Sequence, residues 1–229
     1  MQTKTAIVTG YSSGLGYSFA ELLLSMEWNV VGVSRKSRAD ELMAKYPGKL
    51  HVIHGSVAEQ DVAERSFAKA LDLGSVKMVV NCAGQGVFGP VGAYSADDIR
   101  AAMEANLNGL ILFTDMGVAN MRSSGGDIVN IMSTAAKKLR TAESVYTAAK
   151  WGAKAYTRTI RDAVKSEKLP IRVFEVYPCG MHTAFWNEAI RPLTDGVSFP
   201  SSRPIAEAVL EGVFRESSVY QQEFTFERS

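Results

Sequence analysis

Two cysteines, Cys82 and Cys179, are the only thiols in a chain of 229 residues, too few for a disulfide-stapled scaffold. With His51, His54 and His182 they make no spacing that zinc would accept. No apolar run approaches the roughly 18–20 residues that a membrane-spanning helix needs. An excess of one charge is also missing. The 25 Lys and Arg stand against 24 Asp and Glu, a formal net charge of +1, so no global field draws the chain to nucleic acid or to an anionic membrane. Met1-Gln2-Thr3-Lys4 passes straight into Ala6-Ile7-Val8, which leaves no room for a leader peptide. Low-complexity linkers and composition breaks are absent. Together these absences describe a soluble, cytoplasmic, metal-free protein folded as a single domain over residues 1–229.

What is present is a chain 46% hydrophobic and 21% charged, the ordinary balance of a globular protein. Short apolar runs at 5–9, 30–34, 50–54, 76–81, 128–132 and 171–177, with a weaker one at 219–226, alternate with stretches of helical periodicity at 15–27, 39–45, 58–71, 97–122, 144–168 and 205–215. Several of the runs are continuously apolar, as strands covered on both faces should be. Such alternation predicts an α/β fold, a doubly wound parallel sheet of about seven strands with helices on both faces. One long irregular segment, 180–204, carries Pro192, Gly196, Pro200 and Pro204; an unstructured loop of that length is usually functional, and it is expected to be a substrate lid.

The first strand runs into Thr9-Gly10-Tyr11-Ser12-Ser13-Gly14-Leu15-Gly16 and directly into a helix. Glycines at 10, 14 and 16 clear side chains from the turn, and the helix N-terminus supplies free N–H groups and partial positive charge, a cradle for a dinucleotide pyrophosphate. The T-G-x-x-x-G-x-G spacing resembles that of the short-chain dehydrogenase/reductase family, and later motifs agree in order and spacing. Asn81-Cys82-Ala83-Gly84 resembles the family's N-N-A-G, with Cys for the second Asn. Asn106 follows it by 25 residues, Ser133 follows Asn106 by 27, and Tyr146-Thr147-Ala148-Ala149-Lys150 supplies Y-x-x-x-K. Pro178-Cys179-Gly180-Met181-His182-Thr183 resembles P-G-x-x-x-T, with Cys for Gly.

That resemblance implies a Rossmann-type fold and hydride transfer between a nicotinamide cofactor and a carbonyl or alcohol. It assigns the catalytic roles to Asn106, Ser133, Tyr146 and Lys150. The chemistry of the residues agrees. Tyr146 and Lys150 share a helix face, an adjacent ammonium together with the positive nicotinamide of an oxidised cofactor brings a phenol toward working range, and Ser133 can donate to a carbonyl oxygen that gathers charge. The resemblance further implies that Lys150 holds the nicotinamide ribose and Asn106 a relay water. Cofactor contacts are then expected from Gly10, Tyr11, Ser12, Ser13, Gly14, Leu15 and Gly16. Ser56, Val57, Asn81, Ala83 and Gly84 follow after the middle strands, and Pro178, Cys179, Met181 and Thr183 after the sixth. The family's usual Asp-Val after the third strand is here Ser56-Val57.

Cofactor choice is read 18 positions beyond Gly16, where an NAD-preferring chain would carry a carboxylate. Here stand Ser34 and Arg35, followed by Lys36 and Arg38. Ser34 and Arg35 suit a 2′-phosphate through charge-assisted hydrogen bonds, so NADP(H) is expected. The substrate wall expected from the resemblance comprises Phe88, Val91, Leu139, Tyr177, Met181, Phe185, Trp186 and Ile190, an apolar surface for a small-molecule carbonyl or alcohol substrate. Lys137, Lys138 and Arg140 read either as an anchor for an acidic substrate or, more simply, as a solvated loop. Cys82 and Cys179 read as buried small hydrophobes. A homodimer or homotetramer through 97–122 and 144–168, with Ala148, Ala149, Ala153 and Ala155 at the contact, is implied by the resemblance. The rival reading is a non-catalytic NADP(H)-binding sensor or scaffold, which typically loses the Tyr or Lys kept here. Epimerases and dehydratases of the extended branch tend to carry a longer substrate domain and a G-x-x-G-x-x-G turn, and neither is present.

Overall fold

The computed structural model describes residues 3–36, 40–183, 185, 199–215 and 219–228. Seven strands, β1 (Lys4–Thr9), β2 (Asn29–Ser34), β3 (Leu50–His54), β4 (Ser75–Asn81), β5 (Gly126–Ile131), β6 (Ile171–Tyr177) and β7 (Glu223–Thr225), form one sheet in the order β3-β2-β1-β4-β5-β6-β7. Every described pairing is parallel. The expected doubly wound sheet is therefore the observed one. Its order reverses between β1 and β4, which opens a crevice at the carboxyl ends of those strands.

Alternation along each strand serves two cores. On one face Ala6, Val8, Val30, Met78 and Phe174 pack under α1 (Gly14–Ser25), which contributes Phe19 and Leu23, and under a C-terminal helix at Arg203–Phe214. On the other face Ile7, Val31, Val79 and Val173 meet Phe67 and Phe113, which come from α3 (Gln60–Leu73) and α5 (Gly109–Met121). A short α2 (Asp40–Lys45) precedes β3, α4 (Ala96–Met103) precedes α5, and α6 (Ser144–Ser166) precedes β6; the C-terminal helix is α7.

Three sequence expectations shift. The stretch 97–122 does not fold as one helix. A π-helical turn at Glu104–Asn108, in which the Gly109 N–H donates to the Glu104 carbonyl, separates α4 from α5. The extra residue is held by Asn106, fully buried, whose amide nitrogen donates to the carbonyls of Gln85 (2.8 Å) and Ala102 (2.9 Å). The last strand is shorter than expected because only Glu223–Thr225 pair with β6; before it, Tyr220 instead packs on the Phe174 ring at 5.6 Å. Finally, Arg203 and Pro204, expected in the irregular segment, open α7, where proline suits a first turn that lacks a hydrogen-bond partner for its N–H. Most of the expected lid, including Trp186 and Ile190, lies outside the described residues, as does Arg38.

Candidate active site

The strand ends β1 to β6 surround one cleft of about 830 Å³. At its base, the glycine turn is as tight as its sequence demands. A Cβ on Gly16 would stand 2.3 Å from the Gly10 carbonyl oxygen, and one on Gly10, whose φ is +70°, would stand 2.8 Å from Ala83 Cα. The Thr9 hydroxyl accepts from the N–H groups of Cys82 (3.0 Å) and Ala83 (3.1 Å), tying the end of β1 to that of β4. Ser13 caps α1 with extended backbone and no side-chain capping bond, so its hydroxyl remains available beside the first-turn N–H groups. These features make a cradle fit for a dinucleotide phosphate.

Most expected cofactor residues line this cleft: Gly10, Ser12, Ser13, Gly14, Leu15, Gly16, Ser34, Arg35, Ser56, Val57, Ala83, Gly84, Tyr146, Lys150, Pro178, Cys179, Met181 and Thr183. Two do not. The Tyr11 ring turns under the sheet, where a Cβ on Gly32 would meet it at 2.6 Å, and is fully buried. Asn81 is buried between strands, its amide nitrogen donating to Asn130 Oδ1 (2.8 Å) and Thr114 Oγ1 (3.0 Å). Both support the cleft from behind.

At the other end, Ser133 follows β5 and lines the cleft with Tyr146 and Lys150 of α6. Ser133 Oγ accepts from the Ala135 N–H at 3.1 Å, which fixes the turn after the strand. Burial pushes the Tyr146 phenol well above its ordinary value, against a smaller opposing pull from hydrogen bonding with Ser133; Glu143 adds to the rise and Arg140 opposes it. Lys150 is buried and its amine is pushed down to about 8. Its Nζ sits 5.9 Å from the Tyr146 ring centroid and is engaged by the Ile131 carbonyl at 2.9 Å, and desolvation dominates both groups. Asn106 does not line the cleft; it stands behind Gly84, where a Cβ would come within 2.9 Å of its Oδ1 and 3.9 Å of Lys150 Nζ. Cys82 is pushed up to about 12 by burial, the character of an inert thiol.

Of the expected substrate wall, Phe88, Met181 and Phe185 line the cleft. The rings of Phe88 and Phe185 lie 5.8 and 5.6 Å from that of Tyr146 and 5.9 Å from each other, a three-ring cluster around the phenol. Val91 and Leu139 are 86% and 79% exposed and stand off the cleft, while Tyr177 is buried on β6 against Glu175. Of the basic cluster Arg140 lines the cleft, and all three side chains pair with glutamates of the chain. Lys137 pairs with Glu223 and sits 4.1 Å above the Tyr177 ring, Lys138 is 3.8 Å from Glu227, and Arg140 reaches Glu143 and the Thr134 hydroxyl, each at 3.2 Å. His182 is exposed, its N–H donating to the Pro200 carbonyl at 2.9 Å.

A sequence model of the short chain dehydrogenases matches residues 4–193. The chain belongs to the short-chain dehydrogenase/reductase family. This short-chain dehydrogenase is 31% identical to carbonyl reductase family member 4 of Danio rerio over 184 residues, 79% of this chain and 77% of that one. Its fold is similar to that of an alcohol dehydrogenase from Thermococcus sibiricus complexed with 5-hydroxy-NADP, with a TM-score of 0.85 at 24% identity, covering 98% and 96% of the two chains. It is similar also to a short chain dehydrogenase/reductase of Burkholderia phymatum in complex with NAD, with a TM-score of 0.84 at 20% identity over 92% and 85%. The short-chain dehydrogenase is thus a member of an oxidoreductase family whose members act on small-molecule substrates. Among the described residues no cluster of His, Cys, Asp and Glu could hold a metal ion, and no helix is long and apolar enough to cross a membrane.

Among the cleft residues of this dehydrogenase that sequence reasoning missed, four carry a charge or an aromatic ring. Glu104 enters through the π-turn, Glu143 through its place one helical turn before Tyr146, and Phe199 and Arg228 from the far end of the chain. Only Glu143 had a local signal, its spacing to Tyr146.

Proposed function

We propose that this chain is an NADP(H)-dependent oxidoreductase that interconverts a ketone or aldehyde and an alcohol, with Tyr146 as general acid/base. The observation that carries the reading is the convergence of Ser133, Tyr146 and Lys150 on one end of a cleft whose other end holds the glycine turn and Arg35. The cofactor supplies hydride to the carbonyl carbon when bound. Ser133 donates to the carbonyl oxygen as negative charge grows there. Tyr146, whose burial keeps its proton on at neutral pH, delivers that proton to the same oxygen, which suits the direction of reduction. Lys150, which lines the cleft, would hold the ribose hydroxyls of the bound nucleotide. Asn106, locked to the backbone at Gln85 and Ala102, positions the segment behind Lys150 and the relay water.

NADP(H) is favoured over NAD(H) by what faces the end of β2. Arg35 donates to Gln85 Oε1 at 3.3 Å and Lys36 stands beside it in the cleft, with no carboxylate at either position. The three-ring cluster favours an apolar or aromatic carbonyl compound. Residues 1–229 act as one unit in this reading, with 180–204 as the lid, in the cytoplasm. A homodimer or homotetramer would use the outer face of α6, where Ala148, Ala155 and the half-exposed Trp151 face solvent; Ala149 and Ala153, also expected at the contact, are buried within the chain.

The test is loss of NADPH absorbance over aldehydes, ketones, diketones and keto acids, wild type beside Tyr146→Phe. Turnover that falls by a thousandfold or more in the variant, with NADPH affinity retained, is the expected result. Equal turnover in both would overturn the mechanism, and tight NADPH binding with no turnover of any carbonyl would favour a sensor.

A further inference from the structure

Of the eleven arginines among the described residues, eight lie within 4.0 Å of a carboxylate, which leaves Arg35, Arg215 and Arg228. Arg215 is off the cleft. Arg35 and Arg228 both line it, at opposite ends. Arg35 stands just past β2, near one edge of the sheet, where the proposed 2′-phosphate would lie. Arg228 stands three residues past β7, which is the other edge.

Its position is held by the fold. The Phe226 N–H donates to the Tyr177 carbonyl at 3.0 Å, which carries the alignment of β7 on β6 past the strand ends and brings residue 228 over the Pro178–Gly180 segment. The guanidinium packs on the face of Phe199, 5.2 Å from the ring centroid, and its charge is felt at the Cys179 thiol. Stacking leaves the N–H edge of a guanidinium free to donate in its plane.

We propose that Arg228 is the anchor for an anionic group, a carboxylate or a phosphate ester, carried by the carbonyl substrate away from its reacting carbon. The proposal rests on the reading of the cleft as a carbonyl–alcohol site and narrows its substrate class to amphipathic acids. Their apolar part lies on Phe88 and Phe185, and their charge is at the β7 edge. It also moves the anchor. Of the residues that the sequence offered for this task, Lys137 and Lys138 do not line the cleft, and Arg140 lines it with its charge matched by Glu143 beside it. The other anion in reach of argument is the cofactor's own pyrophosphate, which belongs to the turn after β1. Thr183, four residues past Cys179, already packs against Gly14 of that turn, so NADPH affinity is read beside acid affinity to separate the two anions.

The experiment uses the full chain loaded with NADP+. Wild type, Arg228→Gln and Arg228→Lys are titrated calorimetrically with 4-phenylbutyrate and with its amide. The same proteins with NADPH are assayed on 4-oxo-4-phenylbutyrate and its methyl ester. The expected result is a preference for acid over amide, and for acid over ester, that falls about tenfold in Arg228→Gln and is partly kept in Arg228→Lys. Acid-to-neutral ratios equal in wild type and Arg228→Gln, or no carboxylate binding by wild type, would overturn the proposal. Weakening of NADPH binding by the same factor as the acid would overturn it too, by assigning the arginine to the pyrophosphate. Carboxylate binding that depends on Arg228 in a protein that turns over no carbonyl would uphold the anion site and overturn the reductase reading instead.

Discussion

The ammonium of Lys150 is tied to the carbonyl of Ile131, 2.9 Å away on the strand that ends two residues before Ser133. One hydrogen bond thus joins the helix that carries Tyr146 to the strand that delivers Ser133. It also holds a positive charge that the fold would sooner lose, since Lys150 is only 4% exposed.

The cost of that charge sets a pH dependence. Burial lowers the amine from 10.5 to about 8, so between those values the unfolded chain binds more protons than the folded one, and stability rises with pH across that window. Below it the charged amine costs roughly 3 kcal/mol at 1.36 kcal/mol per unit, offset by about 1 kcal/mol for the bond to Ile131. Lys150→Met is expected to be about 2 kcal/mol more stable than wild type at pH 7, with the gap closing by pH 10. Urea unfolding at the two pH values measures it, and a gap that stays constant would show that the amine does not titrate there.

The glycine turn offers a test of packing against strain. Gly16→Ala places a methyl 2.3 Å from the Gly10 carbonyl oxygen, so backbone must move. A loss of about 2–3 kcal/mol follows from overpacking, together with loss of the NADPH-induced rise in Tm. Gly48 is the control. Its φ is +73°, but an added Cβ meets nothing within 4 Å, so Gly48→Ala should cost about 1 kcal/mol from backbone strain alone and leave the rise in Tm with NADPH intact.

The proposed preference for NADP(H) is tested at one guanidinium. Arg35→Ala removes a charge-assisted bond of about 1.5–3 kcal/mol and is expected to weaken NADPH at least tenfold while NADH affinity holds. Quenching of protein fluorescence by each nucleotide reads both constants. Equal weakening of the two would mean that Arg35 serves the shared part of the dinucleotide.

Local signals sufficed wherever a residue's neighbours in sequence decide its conformation. The alternating runs gave every strand, and the motifs gave almost every residue of the cleft floor. The shortfalls have a common cause. Leu139 and Val91 lie in segments adjacent to the cleft but point outward, and no periodicity exists in a loop to say which way a side chain turns. Tyr177 ends a strand buried on both faces, so its position beside Pro178 gave no hint that the ring points into the fold. The fate of Lys137 and Lys138 depends on Glu223 and Glu227, partners more than eighty residues away, and the proton affinity of Tyr146 depends on burial that only packing reveals. Arg228 had no local signal of any kind.

The π-turn at Glu104–Asn108 has a consequence for which changes the chain can tolerate. One additional residue in a helix rotates everything beyond it by about 100°. Deleting any one residue of Glu104–Asn108 would let α4 and α5 anneal into a single regular helix, locally better hydrogen-bonded than the parent. It would also swing Phe113 and Met121, both fully buried against the sheet, out of their faces. The helix therefore carries a flaw whose repair would be ruinous, and insertions or deletions there should be selected against more severely than most point substitutions at the same positions.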